Sequence, residues 1–219
     1  MYESTRDQRF APALGTATIR VMDKIVGVGK NYAEHARELG DAVPERPVLF
    51  LKPPSVLRTS AGWEKETALV CPRDRGELHF ECEIVLRLAD RATIDAVTLG
   101  LDMTLRSEQL ALKKAGHPWT TAKVFPDAAL IGPFIAIGDF ADYLDTEFTF
   151  ALDGKVRQRA RGLQMLTQPK ELLAYIGSRF PLCPGDVVFT GTPCGVGPVT
   201  AGSRGELAWG DRRFSVAFI

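Results

Sequence analysis

ELHFECEIVL, residues 77–86, has the aromatic and β-branched content of a buried strand, yet it carries Glu81 and Glu83 two positions apart. Successive strand side chains point to opposite faces, so His79, Glu81 and Glu83 share one face and Phe80, Cys82 and Ile84 the other. Like charges at adjacent same-face positions repel, and burying an ionised carboxylate without a partner is expensive. Either this face is solvated or something positive sits against it, and a hard divalent cation held by oxygen atoms is the sharper reading.

A second stretch bears on that choice. In LGLDMTLRSEQ, residues 99–109, Asp102 interrupts another apolar strand, and no Gly or Pro follows to make it a turn residue. Glu81, Glu83 and Asp102 together form a three-carboxylate oxygen site of the type Mg²⁺ or Mn²⁺ prefers, with room left for water or substrate. His79 either joins as a fourth ligand, which would favour Zn²⁺ or Fe²⁺, or packs beside the site.

Working outward, KIVGVG (24–29), VLFLKP (48–53), TALVCP (67–72), HFECEIVLRL (79–88), LIGPFIAIG (130–138), FTFALDG (148–154), DVVFTGT (186–192), ELAWG (206–210) and RFSVAFI (213–219) read as strands. Helices are expected over 31–40, with Asn31 as a cap and Gly40 as the stop, over 107–115, and over 168–178, where Pro169 opens an apolar stripe of Leu172, Leu173 and Ile176. Many short strands with few helices predict a mainly β, α+β body with helices at its periphery. Residues 1–22 are weakly patterned and read as an N-terminal arm with one short strand over 17–22; residues 23–219 read as one domain.

Lys plus Arg equals Asp plus Glu at 27 each, so no global field draws the chain to nucleic acid or an anionic membrane. That balance points to small-molecule chemistry. Cys71, Cys82, Cys183 and Cys194 form no C-x-x-C pair, as expected for thiols of a reducing compartment. The opening MYESTRDQRF has no apolar core and no apolar run approaches the roughly 18 residues of a membrane span, so a cytoplasmic protein is expected.

Further motifs each carry two readings. HARE sets His35 and Glu38 three apart on one helical face, as a general-base pair or as a solvated surface pair. Lys123, between apolar neighbours in TAKVF, is a desolvated cation facing the carboxylates or an exposed strand lysine. TGTPCGVGP, 190–198, is a loop bringing backbone N–H groups to an anion or an ordinary tight turn. No G-x-S-x-G elbow occurs, which leaves a serine-hydrolase mechanism unsupported.

Together these stretches resemble the fumarylacetoacetate hydrolase family, especially its small single-domain members. The resemblance runs through VGVGKNYAEHARELG, PVLFLKPPSV, ELHFECEIVL, LDMTLRSEQ, KKAGHPWTTAKVF and PGDVVFTGTPCGVGP. It implies mixed β-sheets rolled around a metal site, a homodimer, and Mg²⁺ or Mn²⁺ on Glu81, Glu83 and Asp102. It also implies catalytic roles for His35, Glu38 and Lys123 and substrate contacts from Arg106, Gln109 and Thr192. The implied activity is metal-dependent hydrolysis of the C–C bond of an acylpyruvate-type diketo acid. Alternatives on the same ligands are an oxaloacetate decarboxylase or tautomerase, another 2-oxo acid isomerase or hydratase, or a catalytically silent binding protein. The chain departs from the family in two places: only 18 residues, Ile84 to Leu101, separate the E-x-E from LDMT, and RARGLQML (159–166) replaces Gly-x-Thr-x-x-Met.

Overall fold

The computed structural model describes residues 22–38, 40, 42–137 and 141–219, so all of the expected N-terminal arm except Met22 lies outside the described residues. The first part of the chain carries β1 (Ile25–Gly29), α1 (Ala33–Glu38), β2 (Val48–Lys52), β3 (Leu57–Thr59), β4 (Glu66–Leu69), β5 (Leu78–Phe80) and β6 (Cys82–Leu88). Next come β7 (Ile94–Asp102), β8 (Thr104–Leu105), α2 (Arg106–Lys114), α3 (Thr120–Lys123), β9 (Ala129–Ile131) and β10 (Ile135–Ala136). The remainder is α4 (Ala141–Asp145), β11 (Phe148–Leu152), β12 (Lys155–Ala160), α5 (Pro169–Gly177), β13 (Val187–Phe189), β14 (Gly197–Val199), β15 (Arg204–Trp209) and β16 (Arg212–Phe218).

The largest sheet runs β2-β1-β13-β6-β7-β9-β3 with β10 paired to β7; a second runs β12-β11-β15-β16-β4, and a third joins β14, β5 and β8. Parallel pairs (β1 with β13, β3 with β9, β16 with β4) mix with antiparallel ones, giving the mainly β mixed-sheet architecture expected. The buried apolar residues of the sheets form a continuous core, in which the Phe80 and Phe150 rings lie 4.5 Å apart and join the small sheet to the five-stranded one.

Several expectations are corrected. The strand expected over 79–88 is split at Glu81: β5 belongs to the three-stranded sheet and β6 to the eight-stranded one. Alternation therefore does not carry across the break, and His79 pairs with Pro198 and Thr104 in the small sheet. Lys123 ends a short helix, α3, rather than sitting in a strand. Asn31 is no helix cap: its Oδ1 accepts from Thr167 N at 2.8 Å and its Nδ2 donates to Thr190 O at 2.8 Å, tying the entrance of α1 to two distant loops. The strand expected over 130–138 divides into β9 and β10 around the Gly132-Pro133 step, since Pro has no N–H for the ladder.

The short segment after the E-x-E is a direct hairpin. β6 and β7 pair from Cys82↔Leu101 to Leu88↔Ile94, and Asp90 Oδ1 closes the turn by accepting from Ala92 N and Thr93 N, both at 2.8 Å. Glu83 thus lies opposite Gly100, two residues before Asp102 on β7. Phe80 is fully buried, so Phe80→Ala should cost about 3–5 kcal/mol through lost burial and the cavity left behind. Thermal melts followed by circular dichroism should place its Tm roughly 10 °C lower.

Candidate metal centre

The break at Glu81 brings the carboxylates together. Leaving one sheet for another, the chain keeps Glu81 O as acceptor for Asp102 N at 2.8 Å, which holds the end of β7 beside the break. Ligand oxygens of Glu81, Glu83 and Asp102 lie within 4.8 Å of one another, and the three residues are only 6%, 1% and 2% exposed. His79 is not part of this group; burial, and then Arg106, lower its pKa below the ordinary value.

The T-G-T of residues 190–192 has a specific physical task. β13 ends at Phe189, and the chain beyond it stays tied to β6. Thr190 donates to Ile84 O through both its N, at 3.1 Å, and its Oγ1, at 2.8 Å, and Thr192 Oγ1 donates to Cys82 O at 2.9 Å, so a hydroxyl takes over from the backbone as donor two residues past the first contact. Between them Gly191 N donates to Glu83 Oε2 at 2.7 Å. Gly191 has φ +101°, and a Cβ there would sit 2.7 Å from the Asn31 Cβ, so only glycine fits.

Three cations face the three carboxylates. Lys123 Nζ donates to Glu81 Oε2 at 2.9 Å, Asp102 Oδ2 at 2.6 Å and Thr104 Oγ1 at 2.7 Å. Lys52 Nζ lies 2.5 Å from Asp102 Oδ1 and donates to Ala128 O and Met103 O. Arg106 pairs with Glu81 through one terminal nitrogen and donates to Gln109 Oε1 at 2.6 Å through the other, while its buried Nε has no protein partner. Lys52, which the sequence reading missed, looks there like the polar end of an apolar strand.

These neighbours split the carboxylates electrostatically. Burial alone would raise the Glu81 carboxyl, but Lys123 and Arg106 outweigh it and hold Glu81 well below the usual range. Burial pushes Glu83 well above its ordinary value, and Asp102 and Glu81 push it further, against the opposing Gly191 N–H and Lys123. Glu83 is therefore a buried acceptor without a cation of its own. The donor set, all oxygen and all carboxylate, fits a hard divalent ion such as Mg²⁺ or Mn²⁺. With every group ionised the six side chains balance, so such an ion would leave the buried site at a net charge of +2.

A cleft of about 400 Å³ opens over the carboxylates, lined by His35, Phe50, Arg106, Gln109, Trp119 and Thr192 among others. His35 is buried, and its Nδ1 lies 3.2 Å from Glu38 Oε2, while Glu38 Oε1 accepts from Gly195 N at 2.9 Å. The pair is thus tied to the 190–198 loop, with His35 buried and Glu38 partly exposed. Glu38 reaches the cleft only through His35. Lys30, with φ +59°, also lines the cleft.

The sequence model described as fumarylacetoacetate (FAA) hydrolase, C-terminal, matches residues 24–216. The chain belongs to the fumarylacetoacetate hydrolase family. It is 39% identical over 194 residues to a protein of Escherichia coli named oxaloacetate tautomerase YcgM, covering 84% of this chain and 86% of that one. It is 35% identical over 190 residues to a mitochondrial oxaloacetate decarboxylase of Dictyostelium discoideum, covering 82% and 85% of the two chains. The fumarylpyruvate hydrolase of Pseudomonas aeruginosa, solved in complex with Mn²⁺ and pyruvate, superposes with a TM-score of 0.82 at 31% identity, over 97% of this chain and all of that one. It is an enzyme-family fold, and among the described residues no helix is long and apolar enough to cross a membrane.

The electrostatic split between Glu81 and Glu83 gives them opposite mutational behaviour in metal-free protein. Glu81→Gln leaves buried Arg106 without its carboxylate and Lys123 with Asp102 alone, and should lower stability by about 3–5 kcal/mol. Glu83→Gln removes a carboxyl whose charge is disfavoured, so the metal-free Tm should stay or rise. Both variants should lose the rise in Tm that Mg²⁺ or Mn²⁺ gives the wild type. Scanning fluorimetry with and without EDTA reads all of this, and equal metal-free losses for the two variants would refute the split.

Proposed function

We propose that the protein is a Mg²⁺- or Mn²⁺-dependent enzyme acting on a short 2-oxo dicarboxylate, with oxaloacetate keto-enol tautomerisation as its reaction. The observation that carries this reading is the charge balance of the buried site: three carboxylates against three cations, so that a resident divalent ion leaves room for one dianion. The E. coli relative's name points the same way.

When bound, the metal ion supplies a Lewis acid that polarises the 2-oxo group. The chain's own residues do the rest. Glu38 accepts from the Nδ1–H of His35, which leaves the other imidazole nitrogen as the base that takes the proton at C3 and returns it to the oxygen at C2. Lys123 has its three protons on Glu81, Asp102 and Thr104, so it acts on developing negative charge as a fixed positive charge and not as a proton donor. Arg106 Nε and the Gln109 amide nitrogen are the donors suited to a substrate carboxylate. Phe50 and Trp119, with ring centroids 6.5 Å apart, form the apolar wall that limits water.

Acylpyruvate hydrolysis is the second reading. The His35–Glu38 pair favours it, because the same base can activate a water, and the fumarylpyruvate hydrolase structure shares the fold. A homodimer belongs to either reading; Leu110 and Leu163 expose apolar surface, and light scattering after size exclusion tests the assembly.

Assays of oxaloacetate tautomerisation and decarboxylation beside acetylpyruvate and fumarylpyruvate hydrolysis separate the readings. His35→Ala should lower tautomerisation about a hundredfold or more, as loss of a general base does, while leaving metal-dependent decarboxylation largely intact. EDTA should abolish every activity reversibly. Faster turnover of an acylpyruvate than of oxaloacetate would put the hydrolase reading first.

A further inference from the structure

Gln158 lies outside every motif of the site, yet its amide is fully engaged inside it. It sits on β12, the edge strand of the five-stranded sheet, between Arg157 and Arg159, and is 1% exposed. The register of β12 against β11 shifts between Phe150 and Ala151, so that Phe150 opposes Gln158 while Ala151 opposes Val156, which leaves Arg157 as an extra, unpaired residue. Such a bulge re-aims the side chain that follows it. Here it turns Gln158 inward. The 190–198 loop packs on the bulge so closely that a Cβ on Gly195 would lie 2.0 Å from Arg157 O.

Gln158 Oε1 accepts from Cys82 N at 2.9 Å, and Cys82 is the middle residue of the E-x-E. Gln158 Nε2 donates to Thr192 Oγ1 and to Pro193 O, both at 2.8 Å. An amide nitrogen can only donate, so Thr192 must accept from it and turn its own proton to Cys82 O, which it meets at 2.9 Å. The three groups close a ring around both backbone polar groups of Cys82. The flanking Glu81 and Glu83 have their backbone fixed at the break between β5 and β6, where the chain leaves the three-stranded sheet for the eight-stranded one.

We infer that Gln158 is a positioning residue for the metal centre, acting through Thr192 and Cys82 to hold the Glu81 and Glu83 carboxylates in ligating geometry. It touches neither substrate nor metal. Partners of this kind, one bond removed from the ligands, typically change metal affinity ten- to a hundredfold when lost. This is independent of which 2-oxo acid the enzyme takes.

The test uses Mn²⁺ alone, titrated into EDTA-stripped, folded protein by calorimetry and by electron paramagnetic resonance. Gln158→Met should weaken Mn²⁺ binding at least tenfold and change the bound-ion spectrum. Thr192→Val should do the same, and Thr192→Ser, which keeps the hydroxyl, should bind Mn²⁺ within about threefold of wild type. In a Thr192→Val background, Gln158→Met should add less than threefold, because the route is already cut. Additive losses would overturn the proposal, since they mean that Gln158 does not act through Thr192. Where Gln158→Met does not fold, the Thr192 pair decides: equal Mn²⁺ affinity for the Val and Ser variants overturns it.

Discussion

Lys123 bridging Glu81 and Asp102 is the contact on which this site hangs. Two buried carboxylates, one at the break between β5 and β6 and one at the end of β7, would repel at close range, and the ammonium, buried itself and held above its ordinary pKa by those same anions despite the desolvation, joins them. Because Lys123 ends α3, the contact also fixes α3 against β8 through Thr104. Lys52 adds a second tie from β2 to Asp102, so three elements converge on one aspartate.

The same electrostatics supports the proposed metal site. The protein's cations lie against Glu81 and Asp102, leaving Glu83 with a backbone N–H and the field of two neighbouring anions. A buried carboxyl so placed either stays protonated or takes a cation, and three oxygens within 4.8 Å make the second outcome available. The residue that needs the ion most is the one the protein's own charges serve least.

Around this centre the chain replaces regular hydrogen bonding with side chains. Thr190 and Thr192 keep the chain tied to β6 past the end of β13, Asn31 ties two loops at the entrance to α1, and Gln158 closes the break at Cys82. Strand ends and breaks free backbone groups, and ligands gather where such groups must be satisfied locally. The direct β6–β7 hairpin shows that the ligand strands need no longer connection, since their register alone sets Glu83 beside Asp102.

The sequence by itself determined the mainly β class and the three buried acids, because carboxylates inside apolar strands violate the hydrophobic pattern and so announce themselves. It also determined the T-G-T loop, whose glycine and hydroxyl spacing answers to local backbone geometry. Only the tertiary structure decided the rest. Lys52 reads as a strand end and becomes a buried counter-ion, and Lys123 reads as an exposed or desolvated strand lysine and turns out to end a helix. His79 shares the glutamates' parity yet lies in another sheet, because alternation holds only within an unbroken strand. Gln158, flanked by two arginines, is buried by one extra residue in its strand, a bulge that depends on the pairing of β12 with β11 and leaves no mark in local composition.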